Sequence, residues 1–599
     1  MIYKHLLTVT LFLTLTTADI EDDLDYYEQF IKDNLAAVRS YVTPTTYKGF
    51  QLNDQNAEPI EFGEYDFIIA GGGTAGSLLA RRLSEVKSWK VLVIEAGGRG
   101  NNFSDIPGMN GALWSSDYNW AFSSTPQRME CPVSTASPLR RMSLPRGRAL
   151  GGSSVINGNL FSRGSQSDYD RWGARGLPSW CYENVLPFFK KYENASRLKG
   201  IDPEVHGFDG PLIVENYHNT SQLSETFIQS MISLGYNLVD YNGRDVIGIG
   251  YVQKSTRNGR RNSGDNAFIR PIDKRRNLKL QINSLATKVL LEGNRAAGVE
   301  FINRNRRYVA RARFEVILSS GAYQSAQLLM LSGIGPSSEL SRHNISVELD
   351  LPVGRNFMDH FSFGVSCTTN LTVSNLTVRE AIAQYLHAVG PLTVSGGTET
   401  VAFCNTSYTP VEYVTMVSKR ISLVNDSLSF SAQRTTDFSA YLMLLHPKSI
   451  GSVQLTSPDP LQYPQLNPNY LQHEDDLAAL VEAAQLLVKI YENDRFKKYN
   501  LTVVRDSSCS SFPFNSDDYW RCVIRCTGYP GNHPCGTCRM GVSPNDSVVN
   551  ERLVVHGMRN LRVADAGIIP VSLTGHMFAT AYMIGEKAAD FIKQDHGIL

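Results

Sequence analysis

The stretch EYDFIIAGGGTAGSLLARRLSEVKSWKVLVIEAGG, Glu64 to Gly98, constrains this chain more than any other. Phe67 to Ala70 is a short apolar run of the kind a buried strand shows, and Val91 to Ile94 is a second. Between them Ala75, Leu78, Leu79, Leu83 and Val86 recur at helical spacing. Gly71, Gly73 and Gly76 form GxGxxG where strand turns into helix. Gly71 permits the tight turn, Gly73 lets the backbone approach a pyrophosphate, and Gly76 lets helix and strand pack closely. Thr74 and Ala75 sit beside them at the helix N-terminus, whose free N–H groups face the anion. Glu95 ends the second strand about 20 residues on, where an acid accepts hydrogen bonds from an adenosine ribose. Strand, glycine turn, helix, strand and acid in register predict a dinucleotide-binding α/β unit.

At 599 residues the chain is too long for one simple domain. Its 58 basic residues balance 58 acidic ones. That balance points away from nucleic acid, which prefers a basic face, and from an anionic membrane surface.

Lys4 and His5 precede an apolar run from Leu6 to Leu15, followed by Thr16, Thr17, Ala18 and then acids. This is the order of a secretory signal peptide, predicted over residues 1–18. The run is about half of the roughly 20 residues a spanning helix needs. Asn-x-Ser/Thr sequons at Asn102, Asn194, Asn219, Asn344, Asn370, Asn375, Asn405, Asn425, Asn500 and Asn545 agree with a secreted glycoprotein. Outside the cell the nine cysteines should mostly pair, and an odd count leaves at least one free.

Four of those cysteines surround GYPGNHPCGTCRMG, residues 528–541: Cys522, Cys526, Cys535 and Cys538, with His533 among them. Their spacing fits a zinc site, a disulfide staple, or the wall of an active site. An oxidising compartment weighs against thiolate metal binding, and no metal is expected.

The stretch LPRGRALGGSSVINGNLFSRGSQSDYDRW, Leu144 to Trp172, is a second glycine-rich loop after a basic pair, Arg146 and Arg148. It closely resembles the first signature of the glucose–methanol–choline (GMC) oxidoreductases, flavoproteins that use FAD. Gly147, Arg148, Gly151, Gly152, Ser153, Ser154, Asn157 and Gly158 fall on that pattern. A second signature resembles GAYQSAQLLMLSGIG, Gly321 to Gly335, departing at Ala326 where the family carries Pro or Ser. LPVGRNFMDH (351–360), LLHPKSIGSVQL (444–455) and NLRVADAGIIP (560–570) also look like family segments. The resemblance runs from about residue 63 to the C-terminus.

It implies FAD as cofactor. Arg148, Gly152, Ser153, Asn157, Gly158, Ala286, Asp565 and Ala566 are implied as cofactor contacts beside Glu95 and the first glycine turn, with Asn157 near the isoalloxazine ring. In "HPCGT", His533 matches the family's catalytic base, and His576 in "TGHMF" matches the second active-site position, next to the flavin. The family also commonly carries a cysteine at the position of Cys538, so a disulfide among Cys522, Cys526 and Cys535 is the favoured reading of that cluster. Alcohol oxidation needs a proton acceptor as hydride leaves the carbon, and a neutral imidazole titrates in the right range.

The implied fold class is α/β: a Rossmann-like FAD-binding domain with a second α+β substrate-binding domain. Expected segments are an N-terminal helical piece (19–62), FAD-binding parts at 63–211, 281–360 and 527–599, and substrate-domain parts at 212–280 and 361–526. The pattern is most similar to the secreted insect branch, whose members act on glucose, aromatic alcohols and ecdysteroids. Met577 and Phe578, apolar beside His576, tilt the expectation toward a steroid or aromatic alcohol, specifically an ecdysteroid 3-hydroxyl, unless both side chains merely fill the core. Oxygen or another acceptor would reoxidise the flavin. A FAD-containing lyase and a non-catalytic relative are the readings from other classes.

Overall fold

The computed structural model describes residues 2–129, 131, 139–217, 220–371, 376–417, 420–424, 427–431 and 438–598, without the side chains of residues 2–20, 48, 139, 420, 423–424 and 429–431. The sequons Asn219, Asn375 and Asn425 lie outside the described residues, as do the side chains of the signal-peptide reading. The backbone of Ile2–Ser40 is one helix. Among the described residues no helix is long and apolar enough to cross a membrane.

Two sheets organise the chain. The first runs in the order Leu278–Gln281, Val91–Ile94, Ile60–Ala70, Arg306–Leu318, Arg295–Asn303, Ser284–Glu292. Its first four strands are parallel and its last two are antiparallel. Arg306–Leu318 pairs with the hairpin through its first half, and through its last residues with Leu561–Val563, in parallel. Phe67–Ala70 and Val91–Ile94 are wholly buried, which explains their unbroken apolar runs. The helix Thr74–Leu83 covers one face, and the C-terminal helix Met577–Asp595 packs on it. A Cβ on Gly585 would sit 2.7 Å from Ala75 O, so that contact requires glycine.

The second sheet is antiparallel, in the order Thr502–Val503, Phe361–Thr368, Phe438–Leu444, Pro410–Val417, Thr398–Asn405, Gly248–Tyr251. Tyr529–Pro530 also pairs with Phe361–Ser362. The two-residue period of a strand divides its faces. Phe361, Phe363, Val411, Tyr413, Ala440 and Leu442 join a core with the helices Gln222–Ser233, Glu474–Tyr491 and Asp517–Thr527. Val414, Met416, Tyr441, Met443 and Ser362 turn the other way, onto a cavity beneath.

Two expected domain boundaries shift. Leu278–Gln281, of which residues 278–280 were placed with the substrate domain, hydrogen-bonds to Val91–Ile94 and is an edge strand of the first sheet. Gly451–Gln454 and Gln465–Asn467, placed in the second substrate segment, form a small sheet with Arg355–Phe357. Val453, Leu455 and Leu466 bury into the first domain's core, so packing overrides their place in sequence.

The disulfide expectation is corrected. Cys522 pairs with Cys509 and Cys526 with Cys131, so neither bonds within the Cys522, Cys526 and Cys535 set. Cys181, Cys367, Cys404, Cys535 and Cys538 are free thiols, more than one odd cysteine requires. Cys367, Cys404, Cys535 and Cys538 are buried.

Candidate active site

A cavity of about 1060 Å³ runs from the glycine turn to the underside of the second sheet. It lies at the carboxyl ends of the parallel strands, where open α/β sheets bind ligands. Gly71, at φ +104°, makes the turn, and a Cβ there would lie 2.5 Å from Ser319 O. A Cβ on Gly73 would approach nothing in the protein closer than 3.8 Å. That glycine therefore keeps the cavity, not the core, clear of a side chain. Gly76 is held off the cavity against Gly71 O, as close helix–strand packing requires. The second loop seats directly on the first: Gly151 N donates to Gly72 O at 2.8 Å, and a Cβ on Gly152 would lie 2.7 Å from Gly73 Cα.

Thr74, Ala75, Glu95, Gly152, Ser153, Asn157, Gly158, Ala286, Asp565 and Ala566 all line this cavity. The Glu95 carboxylate accepts N–H bonds from Gly72 (2.9 Å) and Gly97 (2.8 Å), which locks the turn. Burial nevertheless pushes its pKa up to about 7. Asp565 caps its own turn through Gly567 N and reaches Gly321 N and Ser325 Oγ, fixing Ala566 at the wall. Arg148 is the exception. Its guanidinium donates to the Asp117 carboxylate and lies over Trp120, and Arg148 itself does not line the cavity. Its neighbour Arg146 lines the cavity and donates to Asn532 O at 2.7 Å, beside His533.

His533 and His576 meet under the second sheet, ring centroids 4.5 Å apart. His533 is fixed from two sides. Its backbone N–H donates to Asp359 Oδ1 (2.6 Å), and its ring Nδ1 lies 3.0 Å from His360 Nδ1. His360 Nε2 in turn lies 2.9 Å from Ser572 Oγ. Tyr470 donates to the other Asp359 oxygen at 2.6 Å. Burial pushes the Asp359 carboxyl up to about 6. Burial, with the two neighbouring imidazoles adding to it, holds His533 well below the usual histidine range. His360 is driven down to about 3, first by burial. Both rings are thus neutral at physiological pH. Among the described residues His533 Nε2 has no hydrogen-bond partner, which leaves it available to the cavity.

His576 occupies the N-cap position of the helix Met577–Asp595 without a side-chain capping bond, and its Nε2 lies 3.0 Å from Glu412 Oε1. Glu412, Val414 and Met416 share one face of their strand, so the sheet's period carries an acid to the histidine. The second Glu412 oxygen is buried without a partner. Asp359, His360 and Glu412 were not singled out from the sequence. The one available signal for Glu412 is a lone acid in the apolar run PVEYVTMV. Met577 and Phe578 do both things considered for them: they line the cavity, and Phe578 packs against Phe161 and Tyr582.

The imidazoles of His533 and His576 converge beside an apolar chamber, and two glycine loops frame a long cleft ending at a helix N-terminus. That arrangement suits proton removal from a hydroxyl next to a bound dinucleotide. Comparison with known proteins agrees. Residues 65–362 and 447–585 match the N- and C-terminal GMC oxidoreductase family models. The chain is 36% identical to a glucose dehydrogenase [FAD, quinone] of Drosophila melanogaster over 89% of its own length and 87% of the relative's. It is 35% identical to an oxygen-dependent choline dehydrogenase of Brucella anthropi, over 88% of this chain and 95% of that one. Among solved structures, a pyridoxine 4-oxidase of Mesorbium loti superposes with a TM-score of 0.77 at 28% identity, covering 89% of this chain and 99% of the other.

Proposed function

The chain belongs to the GMC oxidoreductase family, and from that premise we propose that it oxidises a bulky apolar alcohol, with an ecdysteroid 3-hydroxyl as the specific substrate. It is an FAD-dependent oxidoreductase acting on CH–OH donors. The residues present fit FAD: Gly73 leaves the backbone bare along the cleft, Gly152 lets the second loop seat on the first, and Glu95, Asn157 and Ala566 line its length.

Bound FAD supplies the acceptor for the hydride that leaves the carbinol carbon. The chain manages the proton. For His533 Nε2 to accept the hydroxyl proton it must carry a lone pair, so Nδ1 carries the hydrogen and donates to His360 Nδ1. His360 then holds its own hydrogen on Nε2, toward Ser572 Oγ. Each bond in this relay has one donor and one acceptor, so the contacts accommodate the tautomer that leaves His533 a base. His576, held by Glu412 through Nε2, flanks the same hydroxyl and aims the carbon.

The apolar chamber beside the histidines carries the substrate reading. Leu160, Val414, Met416, Met443 and Phe578 line it, and a sugar would leave its hydroxyls facing these groups unpaired. A second reading, glucose oxidation, is favoured by the Drosophila relative. Oxygen is the proposed final acceptor, giving hydrogen peroxide. Secretion is proposed with it: Asn102, Asn344, Asn370, Asn405, Asn500 and Asn545 are exposed in their sequons, as glycosylation requires. The test is anaerobic addition of ecdysone, salicyl alcohol or glucose to separate samples, watching the flavin absorbance. Bleaching by ecdysone supports the proposal. Bleaching by glucose alone transfers it to the second reading, and bleaching by salicyl alcohol alone discards the steroid.

A further inference from the structure

A second, smaller cavity of about 380 Å³ opens on the far side of the loop that carries Asn157. Arg257, Arg260 and Arg261 line it with Asn258, Asn262 and Asn266. Arg261 and Asn262 are 2% and 3% exposed, yet Arg261 Nη2 and Asn262 Nδ2 have no hydrogen-bond partner. Two donors buried without acceptors are costly, and a guanidinium is the costlier of the two. The rest of Arg261 is fully committed: Nε donates to Ser104 O (2.9 Å), and Nη1 to Ser154 O (3.2 Å), Asn157 O and Asn157 Oδ1 (both 2.8 Å).

The charge around the cavity is one-sided. Arg257 is exposed and, among the described residues, has no ion-pair partner. Arg260 lies over the rings of Tyr27 and Tyr385. The one acid on the wall, Asp105, accepts from Asn266 Nδ2 at 3.0 Å, and burial raises its pKa. Glu215 lies behind Asn258, saturated by Thr256 Oγ1, Arg197 and the N–H groups of Asn258 and Gly259. Three guanidiniums, that of Arg261 with a free Nη2, and the free Asn262 amide therefore face a space with a single carboxyl.

We propose that this cavity is a small-oxyanion site, holding a phosphate or carboxylate group on Arg257, Arg261 Nη2 and Asn262 Nδ2. Because Arg261 also grips both oxygens of Asn157, the site sits one side chain from the wall of the cofactor cleft. An anion there stiffens the loop that faces the flavin.

The test is calorimetric titration of the purified holoenzyme, in a buffer free of other oxyanions, with inorganic phosphate and separately with acetate. One saturable site per chain for either anion is expected, accompanied by a small change in the flavin absorbance. Tighter phosphate points to a phosphate-bearing ligand, and tighter acetate to a carboxylate. Losing one charge-assisted bond in Arg257→Gln should weaken binding about tenfold. Arg257 is exposed, so that variant should fold. Asn262→Asp, which turns a donor into a repelling carboxylate, should abolish the site. No saturable heat with either anion, or equal affinity in wild type and Arg257→Gln, overturns the proposal.

Discussion

At the scale of single residues, the two glycines of the first turn make opposite predictions. Gly71 has φ +104° and backbone 2.5 Å from where a Cβ would lie, so Gly71→Ala should unfold or fail to express. Gly73→Ala has room within the protein and intrudes only on the cleft. It should fold with near-normal melting yet purify without the flavin absorbance. A Gly73→Ala protein that keeps its flavin would remove the cradle argument. Glu412→Gln keeps the shape but withdraws the charge that orients His576, so flavin reduction by substrate should slow by up to about 100-fold while flavin binding persists. Unchanged reduction kinetics would make that pair structural.

The buried histidines also set a pH dependence. His360 takes its proton at about 3 in the folded chain against an ordinary 6.5, so the unfolded chain binds a proton that the folded one refuses. Stability is therefore lost as pH falls through that window, by at most about 1.4 kcal/mol per pH unit for this group. His533 acts in the same direction. Asp359, raised to about 6 from 3.8, acts oppositely below 6, where its protonation is favoured in the folded state. Glu95, raised to about 7 from 4.5, opposes the histidines likewise, so their contribution is read as a difference: the gap in melting temperature between wild type and His360→Asn should move in the variant's favour as pH falls below 6.5. A curve with the same slope in His360→Asn contradicts the assignment.

At the scale of elements, the first unit was legible because its determinants are local. A buried parallel strand, a glycine turn and an amphipathic helix each declare themselves within a dozen residues, and Val91–Ile94 falls where the apolar run placed it. The strand read at Phe67–Ala70 begins at Ile60, because its exposed first half carries glutamates that an apolar pattern does not flag. The second sheet was not legible. Its pairings join Phe361–Thr368 to Phe438–Leu444 and Gly248–Tyr251 to Thr398–Asn405, and no local period reports them. For the same reason Glu412 and His360 escaped notice: they meet His576 and His533 from 164 and 173 residues away. His533 and His576 themselves were visible only through the family resemblance. The Cys131–Cys526 bridge belongs to this scale too. It ties the strand Leu139–Arg140 region to the end of the helix Asp517–Thr527, where Arg140 donates to Cys526 O at 2.8 Å just ahead of Tyr529 and His533. Closing a separation of 395 residues, it should contribute about 2–5 kcal/mol, so Cys131→Ser with Cys526→Ser should lower the melting temperature by several degrees. An unchanged melting temperature would show the bridge does not constrain the unfolded chain.

At the scale of the whole molecule, two cores face each other across one cavity. The first supplies a rigid glycine cradle and the C-terminal helix that presents His576, and the second supplies an apolar ceiling and Glu412. His533 arrives on the segment after Tyr529–Pro530, the short strand that pairs into the second sheet. Substrate and cofactor therefore meet only where the two units touch, and the base sits on the chain that links them. The central claim is that His533 removes the hydroxyl proton. The most direct measurement is anaerobic rapid mixing of wild type and His533→Ala with the best alcohol found, following loss of flavin absorbance. The account predicts normal flavin content in the variant and reduction slower by at least about 100-fold. Reduction at the wild-type rate with flavin bound would contradict it.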